Sequence, residues 1–552
     1  MGSLRRKGMC PVCYAKLLKG LADPTEYPIP AFYNNVRVDN GMALTPPMGW
    51  STWNTFQYGI DQNLILETAK AFKEKGLLEA GYTYLNIDDC WQDKTRNMKG
   101  ELCGDPIRFP DGMKALVEKV NALGIKLGIY TDNGTMTCCD YPGSYGQYYR
   151  DAYTFAKWGI EYWKLDYCHS VDYSFCAPRV TGILVGKRGE IGKKYGVEEG
   201  KCHHCRIFKI KWPKKMYLKT SPFTHYVYGI DANHGRIEFS HDAPEDGDYI
   251  VTVHMTEKNR HEKFLGLLVN DERLYTAIIP AKRIWLEDYE LHFEVKLKKG
   301  QNSLQLFNPI KNKPTCDMLQ YQEAFRALMQ ATKDVAEETG KPEKKIVFSI
   351  CEGNTGNPHL WGKSAGNLWR TTCDIKENWK SILHNYEHNV QLYEYACPGH
   401  WNDPDMLEVG VGDLTYSESE AHFIVWCMMA SPLILGNDIR VMSDEIRDLV
   451  TNKELIGIDR DKLGKQCKRV VKGAVDVLVK PLEDKKTAVC VFNKSDDKKK
   501  YEIKESVLER EEYIEFVSSE TARDPVLHKD VEKTDILTGE IPPHSAKVFI
   551  FG

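Results

Sequence analysis

The chain has no apolar run that approaches the length needed to cross a bilayer, which is about 18 consecutive apolar residues for a helix. The segment from Met1 to Ala22 also lacks the sustained apolar stretch of a secretory signal, because Lys16, Lys19 and charged neighbours interrupt it. The expectation is a cytoplasmic protein without a membrane partner. A secreted mature form that has already lost its signal stays open.

An excess of positive charge is also absent. The 74 Lys and Arg residues are balanced by 78 Asp and Glu residues, so the net charge is only −4. A nucleic-acid binder usually carries a basic face, so nucleic acid is not expected as a partner. A hydrophobic content of 42% and a charged content of 28% are those of a soluble globular protein. At about 100–200 residues per domain, the length predicts roughly three domains.

The cysteines lack the even, closely spaced pattern of a disulfide scaffold. There are 17 of them, scattered along the chain, which favours a reducing compartment with mostly free thiols. Two Cys-x-x-Cys pairs stand out, Cys10 with Cys13 and Cys202 with Cys205. Four thiolates can hold a tetrahedral structural zinc ion, if the two pairs meet in space. The alternative is that each pair is an unconnected thiol turn.

The region 42–170 alternates strand-like and helix-like segments. Strands are predicted at 84–89, 126–132 and 161–166, and helices at 63–79, 111–123 and 148–158. Such alternation predicts a parallel sheet with polar groups at the carboxyl ends of its strands.

The alternation stops at about residue 171 and resumes after about 316. Between these points, antiparallel strands are predicted at 236–240, 248–256, 263–269 and 291–297. The resumed pattern has a helix at 321–338 and strands at 345–351, 370–374, 400–407 and 431–437. From about Leu463, short strands recur at 475–479, 487–493 and 547–551. The prediction is a (β/α)8 barrel with a β-sandwich inserted after its fourth strand and a C-terminal antiparallel sandwich. The predicted division is 1–40, 41–170, 171–316, 317–461 and 462–552.

Two aspartates are placed where a barrel enzyme carries its catalytic groups. Asp166 ends the fourth predicted strand, and Asp374 ends a later one. Two carboxylates from separate strand ends are what glycosidic bond cleavage requires. Either one alone could instead be a helix N-cap.

Seven motifs in order make the chain resemble glycoside hydrolase family 27, which contains the α-galactosidases and α-N-acetylgalactosaminidases. The resemblance covers about residues 41–170 and 317–552. The motifs are Pro47-Met48-Gly49-Trp50-Ser51-Thr52-Trp53-Asn54, Asn86-Ile87-Asp88-Asp89-Cys90-Trp91, Gly128-Ile129-Tyr130, Tyr162-Trp163-Lys164-Leu165-Asp166, Cys351-Glu352, Trp369-Arg370 with Asp374, and Trp401-Asn402-Asp403-Pro404-Asp405-Met406.

The resemblance implies a role for each matching residue. Asp166 would be the nucleophile and Asp374 the general acid and base, with Lys164 keeping Asp166 ionised. We therefore expect a lowered pKa for Asp166 and a raised pKa for Asp374. The implied substrate-binding residues surround a galactose: Asp88 and Asp89 at the 4- and 6-hydroxyls, Glu352 and Arg370 at the 2-hydroxyl, and Trp53, Tyr130, Asp405 and Met406 along the pocket wall.

The chain also departs from the family pattern. The family would pair Cys90 with a cysteine near position 58, which here is Tyr58, whereas the implied partners Cys138 and Cys168 are both present. Gly353 stands where many members have a tryptophan, which puts the aglycone side of the pocket in doubt. The end of the insert, residues 297–308, resembles a carbohydrate-binding module, although a purely structural sandwich is an equal alternative.

The expected function is an exo-acting, retaining α-galactosidase that cleaves galactose-containing glycans without a catalytic cofactor. Three alternatives stay open. An α-N-acetylgalactosaminidase is opposed by Glu352, which would crowd an N-acetyl group. A β-L-arabinopyranosidase is opposed by Asp89, which favours a hydroxymethyl group. A non-catalytic lectin-like barrel is opposed by the presence of both carboxylates and Lys164. The oligomeric state, including a homo-oligomer, stays open.

Overall fold

The computed structural model describes residues 36–168, 173–174, 179–210, 222–230, 235–255, 262–279, 289–308, 316–353, 356–508 and 518–552. They form two compact units. One comprises the described residues between 171 and 319, and the other those before 171 together with those from 320 onward. Within the described ranges, no helix is both long and apolar enough to cross a membrane.

The first part of the larger unit alternates buried strands with helices. Its elements are β1 (Met48–Ser51), α1 (Trp53–Phe56), α2 (Gln62–Glu74), α3 (Leu77–Ala80), β2 (Tyr84–Ile87), α4 (Met113–Asn121), β3 (Lys126–Asp132), α5 (Tyr148–Trp158) and β4 (Tyr162–Asp166). The Asp61 carboxylate caps α2 by accepting from the Leu64 N–H at 2.8 Å. Gly159 ends α5 at a φ of 88°, which a residue with a side chain rarely adopts.

The smaller unit contains two packed sheets and a two-stranded ribbon. Its strands are β5 (Tyr173–Ser174), β6 (Val180–Gly186), β7 (Lys193–Gly196), β8 (Lys201–His203), β9 (Arg206–Lys209), β10 (His225–Tyr228), β11 (Arg236–Ala243), β12 (Gly247–Met255), β13 (Glu262–Val269), β14 (Arg273–Ile279), β15 (Tyr289–Leu297) and β16 (Gly300–Phe307). One sheet has the order β14-β13-β16-β11-β8, the other has the order β15-β12-β6-β7, and β9 pairs with β10 in the ribbon. Alternate residues of β11 and β16 enter a shared apolar core, as the period-2 pattern predicts. The predicted inserted sandwich is confirmed.

The barrel resumes after the insert. Its elements are α6 (Cys316–Thr339), β17 (Val347–Ile350), β18 (Leu368–Arg370), α7 (Trp379–Asn389), β19 (Trp401–Asp403), α8 (Tyr416–Met428), β20 (Leu433–Leu435), α9 (Asp444–Val450) and α10 (Lys453–Asp459). Eight parallel strands follow the order β19-β18-β17-β4-β3-β2-β1-β20. Leu407, just beyond β19, bridges in parallel to Leu435 of β20 and so closes the sheet on itself. The predicted barrel is confirmed.

One predicted strand boundary is wrong in a way that matters for the site. The strand expected at 370–374 ends at Arg370, so Asp374 lies four residues beyond it, in the loop before α7. The Thr371 N–H still bonds to the Asp403 carbonyl at 2.9 Å, but no strand pairing continues from there to Asp374. Asp374 still lies on the carboxyl side of its strand, where the βα loops build the active sites of this fold.

The C-terminal part is a second β-sandwich. Its elements are β21 (Lys468–Val471), β22 (Val475–Pro481), β23 (Thr487–Asn493), β24 (Lys499–Glu502), β25 (Thr521–Asp524), β26 (Lys529–Glu532), α11 (Lys533–Leu537), β27 (Thr538–Ile541) and β28 (Ser545–Phe551). Six strands form the sheet β21-β22-β23-β28-β25-β26, and β24 pairs with β27. The predicted sandwich is confirmed, while the five-part division of the whole chain stays a prediction.

A buried carboxylate ties this sandwich to the barrel. Asp476 in β22 is fully buried and accepts from the Tyr386 hydroxyl of α7 at 2.8 Å. Arg469 and Lys494 approach the same carboxylate at 3.1 and 3.0 Å. Both cations also pair with Glu387 of α7. The negative charge of Asp476 therefore compensates two cations that are mostly shielded from water.

We expect Asp476→Ala to destabilise the protein by about 3–5 kcal/mol, because Glu387 alone balances only one of the two cations and the other buried positive charge is left uncompensated. Asp476→Asn keeps the shape and an acceptor oxygen, so its effect should be smaller. Urea denaturation followed by tryptophan fluorescence measures both. The control is Asp497→Ala, since that side chain is 78% exposed and pairs only at the surface with Lys499. Equal midpoints for Asp476→Ala and Asp497→Ala would contradict this role.

Candidate active site

Acidic side chains converge at the carboxyl ends of three adjacent barrel strands. Asp88 and Asp89 follow β2, Asp132 ends β3 and Asp166 ends β4. The register of the sheet sets Asp132 directly beside Asp166. Because the strands are parallel, all of these groups lie at the edge where barrel enzymes hold their catalytic residues.

Lys164 forms its ion pair with Asp88. Its Nζ lies 2.8 Å from Asp88 Oδ2 and 5.2 Å from the centre of the Tyr130 ring. The other Asp88 oxygen accepts from the Asp89 N–H at 2.9 Å. Burial alone would lower the pKa of Lys164, but Asp88 and its other anionic neighbours raise it well above the usual lysine value. Lys164 is therefore a fixed positive charge at the strand ends.

Asp166 does not have the lowered pKa expected of it. Burial raises the pKa of this carboxyl, and the lowering effect of Lys164 does not cancel it. The Asp88 carboxylate raises the pKa further, while the Tyr167 N–H, which donates to Asp166 Oδ1 at 2.8 Å, lowers it. The expectation was wrong because Lys164 is already bonded to Asp88, which leaves only its longer-range field for Asp166.

The second cluster is built around the buried guanidinium of Arg370. Its Nη2 lies 2.6 Å from Asp405 Oδ2 and 3.0 Å from Asp374 Oδ1. The Nη1 atom approaches the thiol of Cys351 at 3.5 Å. Arg370 thus joins three consecutive strand ends: the residue after β17, its own strand β18 and the loop after β19.

Asp405 holds this cluster in place through its own unusual backbone. Its φ is +80°, a left-handed conformation that costs energy for a residue with a side chain. The carboxylate accepts from the N–H groups of Ile375 and Met406, both at 2.8 Å. The Ile375 contact fixes the backbone immediately after Asp374. Strain at this position is compensated by bonds that orient the neighbouring candidate acid.

Asp374 also departs from expectation. Its side chain is 77% exposed, and the positive charge of Arg370 lowers its pKa below the usual value, although partial burial opposes this. The predicted raised pKa is therefore wrong for this state of the protein. The cause is a close cation that favours the carboxylate form.

The remaining predicted sugar-binding residues follow four of the barrel strands, β1, β2, β17 and β19. Asp89 is buried and accepts from the N–H groups of Cys90 at 2.7 Å and Cys139 at 2.9 Å. Glu352 follows β17, is buried, and accepts from the Gly356 N–H. Trp53 opens α1 directly after β1, and Met406 is buried beside Asp405.

The predicted cysteine features divide in two. Cys138 and Cys168 are joined by a disulfide that links the loop after β3 to the end of β4. Cys10 and Cys13 lie outside the described residues. Cys202 and Cys205 are neighbours in and after β8, and the Cys205 thiol approaches the Arg236 carbonyl at 3.1 Å. Among the described residues, no third His, Cys, Asp or Glu completes a metal group with them. The zinc site stays a prediction.

Sequence reasoning missed two contributors to the site. Asp132 ends its strand as plainly as Asp166 does, and it accepts from the Cys168 N–H at 2.7 Å. The sequence signal for Asp132 was therefore present, but it was not used because the expected mechanism needs only two catalytic carboxylates. Tyr321 of α6 donates its hydroxyl to the carbonyls of Leu165 and Asp166, both at 3.2 Å. A tyrosine in a helix that far along the chain gives no such signal.

Two family models match the chain. The one described as α-galactosidase A matches residues 45–178 and 316–461, and the one described as the α-galactosidase C-terminal β-sandwich domain matches residues 472–551. The chain belongs to the α-galactosidase family, glycoside hydrolase family 27. The first model leaves out 179–315, which is the inserted sandwich of this family member.

Similar proteins cover most of this family 27 chain. α-Galactosidase 2 of Arabidopsis thaliana is 31% identical over 465 residues, which span 84% of this chain and 79% of that protein. The α-galactosidase of Cyamopsis tetragonoloba is 30% identical over 470 residues, with 84% and 77% covered. The crystal structure of α-galactosidase I from Mortierella vinacea has a TM-score of 0.60 at 22% identity, covering 93% of this chain and 98% of that one. At that identity, the last comparison supports the fold alone.

The pairing of Arg370 with Asp374 generates a pH prediction. A general acid must carry its proton, so activity falls as the pH rises through its pKa. Arg370 lowers the pKa of Asp374, so Arg370→Gln should raise it and move the alkaline limb of the kcat/KM profile to higher pH. The measurement uses a galactoside with a poor leaving group, for which the proton is needed.

Lys376→Gln is the matched control for this prediction. Lys376 is exposed and also lowers the pKa of Asp374, but as a weaker cause than Arg370. The alkaline limb of the Lys376→Gln profile should shift in the same direction as that of Arg370→Gln, but by a smaller amount. An alkaline limb that stays in place in Arg370→Gln, whatever its residual rate, would show that this arginine does not control the acid.

Proposed function

We propose that this protein is an exo-acting α-galactosidase that retains the anomeric configuration of its substrate. The observation that carries the proposal is that Asp166 and Asp374 lie on the same edge of the barrel, close enough for the charge of Asp374 to add to the burial that raises the pKa of Asp166. Retaining enzymes place their two carboxyls about 5–5.5 Å apart. Membership of family 27 and the curated α-galactosidase relatives support the same activity.

The proposed reaction has two steps. In the first, Asp166 attacks the anomeric carbon while Asp374 donates a proton to the departing glycosidic oxygen. A covalent galactosyl-enzyme results. In the second, Asp374 as a carboxylate takes a proton from water, which attacks the same carbon and releases Asp166. At the start of the first step, Asp374 must therefore be protonated and Asp166 must be ionised.

The charges around the two carboxyls suit the second step before substrate arrives. Arg370 favours the ionised form of Asp374, which is the form that acts as base. A bound sugar would cover the exposed Asp374 and strip water from it, and loss of water raises a carboxyl pKa. Ester formation at Asp166 then removes a negative charge from the site. Protonation of Asp374 is thus coupled to substrate binding, because the bound sugar favours the acid form of Asp374 that the first step needs.

Recognition of galactose is proposed to depend on the first acidic pair. Asp88 is held by Lys164, and Asp89 is held by two backbone N–H groups, so both carboxylates are fixed before binding. Pre-set acceptors lose little entropy when they bond to sugar hydroxyls. Glu352, buried beside the site, favours a free 2-hydroxyl over an N-acetyl group. These arguments oppose the arabinopyranosidase and N-acetylgalactosaminidase alternatives.

Hydrolysis of a nitrophenyl glycoside panel tests the function directly. We expect turnover of the α-galactoside, with much weaker turnover of the α-N-acetylgalactosaminide and the β-L-arabinopyranoside. Asp166→Asn should abolish turnover, since no covalent intermediate can form. NMR during the reaction should show α-galactose first. Initial release of the β anomer would contradict retention, and a wild-type protein inert on every glycoside would favour the lectin-like alternative.

Asp374→Ala separates the acid role from the nucleophile role. We expect a loss of roughly 10²–10⁴-fold on a galactosyl disaccharide, because its leaving group needs a proton. An aryl galactoside with a good leaving group should lose much less in the first step. Glu377→Gln, an exposed acid on the same loop, serves as the matched control and should affect neither substrate. Equal losses on both substrates would count against Asp374 as the acid.

The proposals about the added segments stand apart from this activity. Carbohydrate binding by the inserted sandwich and a zinc ion shared by the two Cys-x-x-Cys pairs both stay predictions. A structural zinc with four thiolate ligands would have no open position for chemistry. Neither is needed for the proposed reaction, which uses no catalytic cofactor.

A further inference from the structure

Cys90 has a neighbour that the family pattern did not anticipate. Position 58, from which its family partner would come, is Tyr58, which is 67% exposed. Cys90 itself is buried, and the thiol beside it is that of Cys139. The two sulfur atoms and a carboxylate oxygen of Asp89 all lie within 4.8 Å of one another. Both cysteines are free thiols in the structure.

The adjacent disulfide explains how Cys139 reaches this position. Cys138 is bonded to Cys168 at the end of β4, which anchors the loop after β3 on that side. The next residue, Cys139, then faces the end of β2, and its N–H donates to Asp89 Oδ2 at 2.9 Å. The Cys90 N–H donates to the other oxygen, Asp89 Oδ1, at 2.7 Å. The same two residues that bring their thiols together also hold both oxygens of Asp89.

We propose that Cys90 and Cys139 form a second, reversible disulfide that fixes the carboxylate of Asp89 at the mouth of the barrel. The bond would connect the end of β2 to the loop after β3, next to the bond that already connects this loop to β4. Two adjacent cross-links would then hold three neighbouring strand ends in a fixed arrangement. Within this chain, Cys139 would take the place of the missing family cysteine.

The chemistry is thiol–disulfide exchange with a small-molecule disulfide such as oxidised glutathione. The Cys139 thiolate attacks one sulfur of that disulfide, releases one glutathione thiolate and forms a mixed disulfide. The Cys90 thiolate then attacks the Cys139 sulfur, which breaks the mixed disulfide and releases the second glutathione. Two protein thiols lose two protons and two electrons, and the glutathione disulfide gains them as two thiols.

The order of attack follows from access and charge. Cys139 is half-buried and can meet an oxidant, whereas Cys90 is 1% exposed. Burial raises the pKa of both thiols, but contact with Cys90 lowers that of Cys139 and contact with Cys139 raises that of Cys90. Cys139 is thus the more easily ionised thiol of the pair. Its thiolate makes the first attack, and Cys90 acts as the resolving thiol.

Mass spectrometry of the native protein tests the linkage itself. The full chain is incubated with oxidised glutathione, its remaining thiols are alkylated, and its peptides are mapped without reduction. We expect a peptide pair joined through Cys90 and Cys139, with Cys103 still alkylated as an internal control. Quantitative alkylation of Cys90 and Cys139 after this treatment would overturn the proposal. So would linkage of Cys139 to any cysteine other than Cys90.

Thermal unfolding gives a second test of the disulfide, and it needs no substrate. Oxidation should raise the Tm of the wild-type protein by about 3–6 °C, because the cross-link lowers the conformational entropy of the unfolded chain. Cys139→Ala should remove that rise, while Cys103→Ser should retain it. The comparison of oxidised with untreated wild-type protein needs no variant. It can therefore contradict the proposal even if Cys139→Ala fails to fold. An unchanged wild-type Tm in a protein shown to carry the linkage would overturn the fixing role.

The effect on substrate rests on the proposed α-galactosidase function. Reduction with dithiothreitol should raise KM for an aryl α-galactoside by about threefold with little change in kcat, because Asp89 is then less firmly pre-set. In Cys139→Ala, reduction should leave KM unchanged, which excludes an effect through Cys138 and Cys168. If the protein cleaves no galactoside, the proposed function fails while the mapped linkage still decides the disulfide. A threefold change that persists in Cys139→Ala would contradict control through this pair.

Discussion

Closure of the parallel sheet is the constraint on which the site depends. Leu407 completes the closure by donating its N–H to the Ile434 carbonyl at 2.7 Å and accepting from Gly436 at 2.9 Å. The strands must approach closely for this to happen. A Cβ at Gly49 would collide with the backbone of Tyr84, and one at Gly128 would collide with Asn86 and Tyr162. These two glycines therefore allow the tight ring that brings all carboxyl ends to one edge.

Two cations divide the acids of that edge between them. Burial raises the pKa of Asp166, and Lys164, which is bonded to Asp88 and acts on Asp166 only through space, does not cancel that rise. Arg370 is shared between Asp405, at the shorter distance, and Asp374. A buried cation needs at least one anion bonded to it. Each of these two cations is held by a proposed binding residue, and from there it influences a proposed catalytic residue. The protonation states of the proposed nucleophile and acid can then respond to substrate while the framework stays fixed.

Most of the fold was predictable because its signals are local. Strand periodicity located the bounds of the barrel strands from β2 onward to within four residues, and those of β12, β13 and β15 of the insert to within two. The boundary of β18 was not predictable, since nothing in the residues around Thr371 shows where pairing with β19 stops. Motifs supplied the candidate site residues, which stay a prediction, and the expected pKa directions of Asp166 and Asp374 were both wrong. A motif says that Lys164 is near Asp166, but only geometry shows that it is nearer to Asp88.

The same limit explains why the Cys90–Cys139 pair was invisible in the sequence. A comparison along the chain could show only that position 58 lacks a cysteine, and it left Cys90 without a partner. The proposed partner, Cys139, comes from a different loop, 49 residues after Cys90, and it directly follows Cys138, which is bonded to Cys168. Next to that bond, the Cys139 N–H donates to Asp89 at the end of β2. Closure of the parallel sheet holds the ends of β2, β3 and β4 at a fixed spacing. A disulfide that is missing at one strand end can therefore be replaced by one from the neighbouring loop.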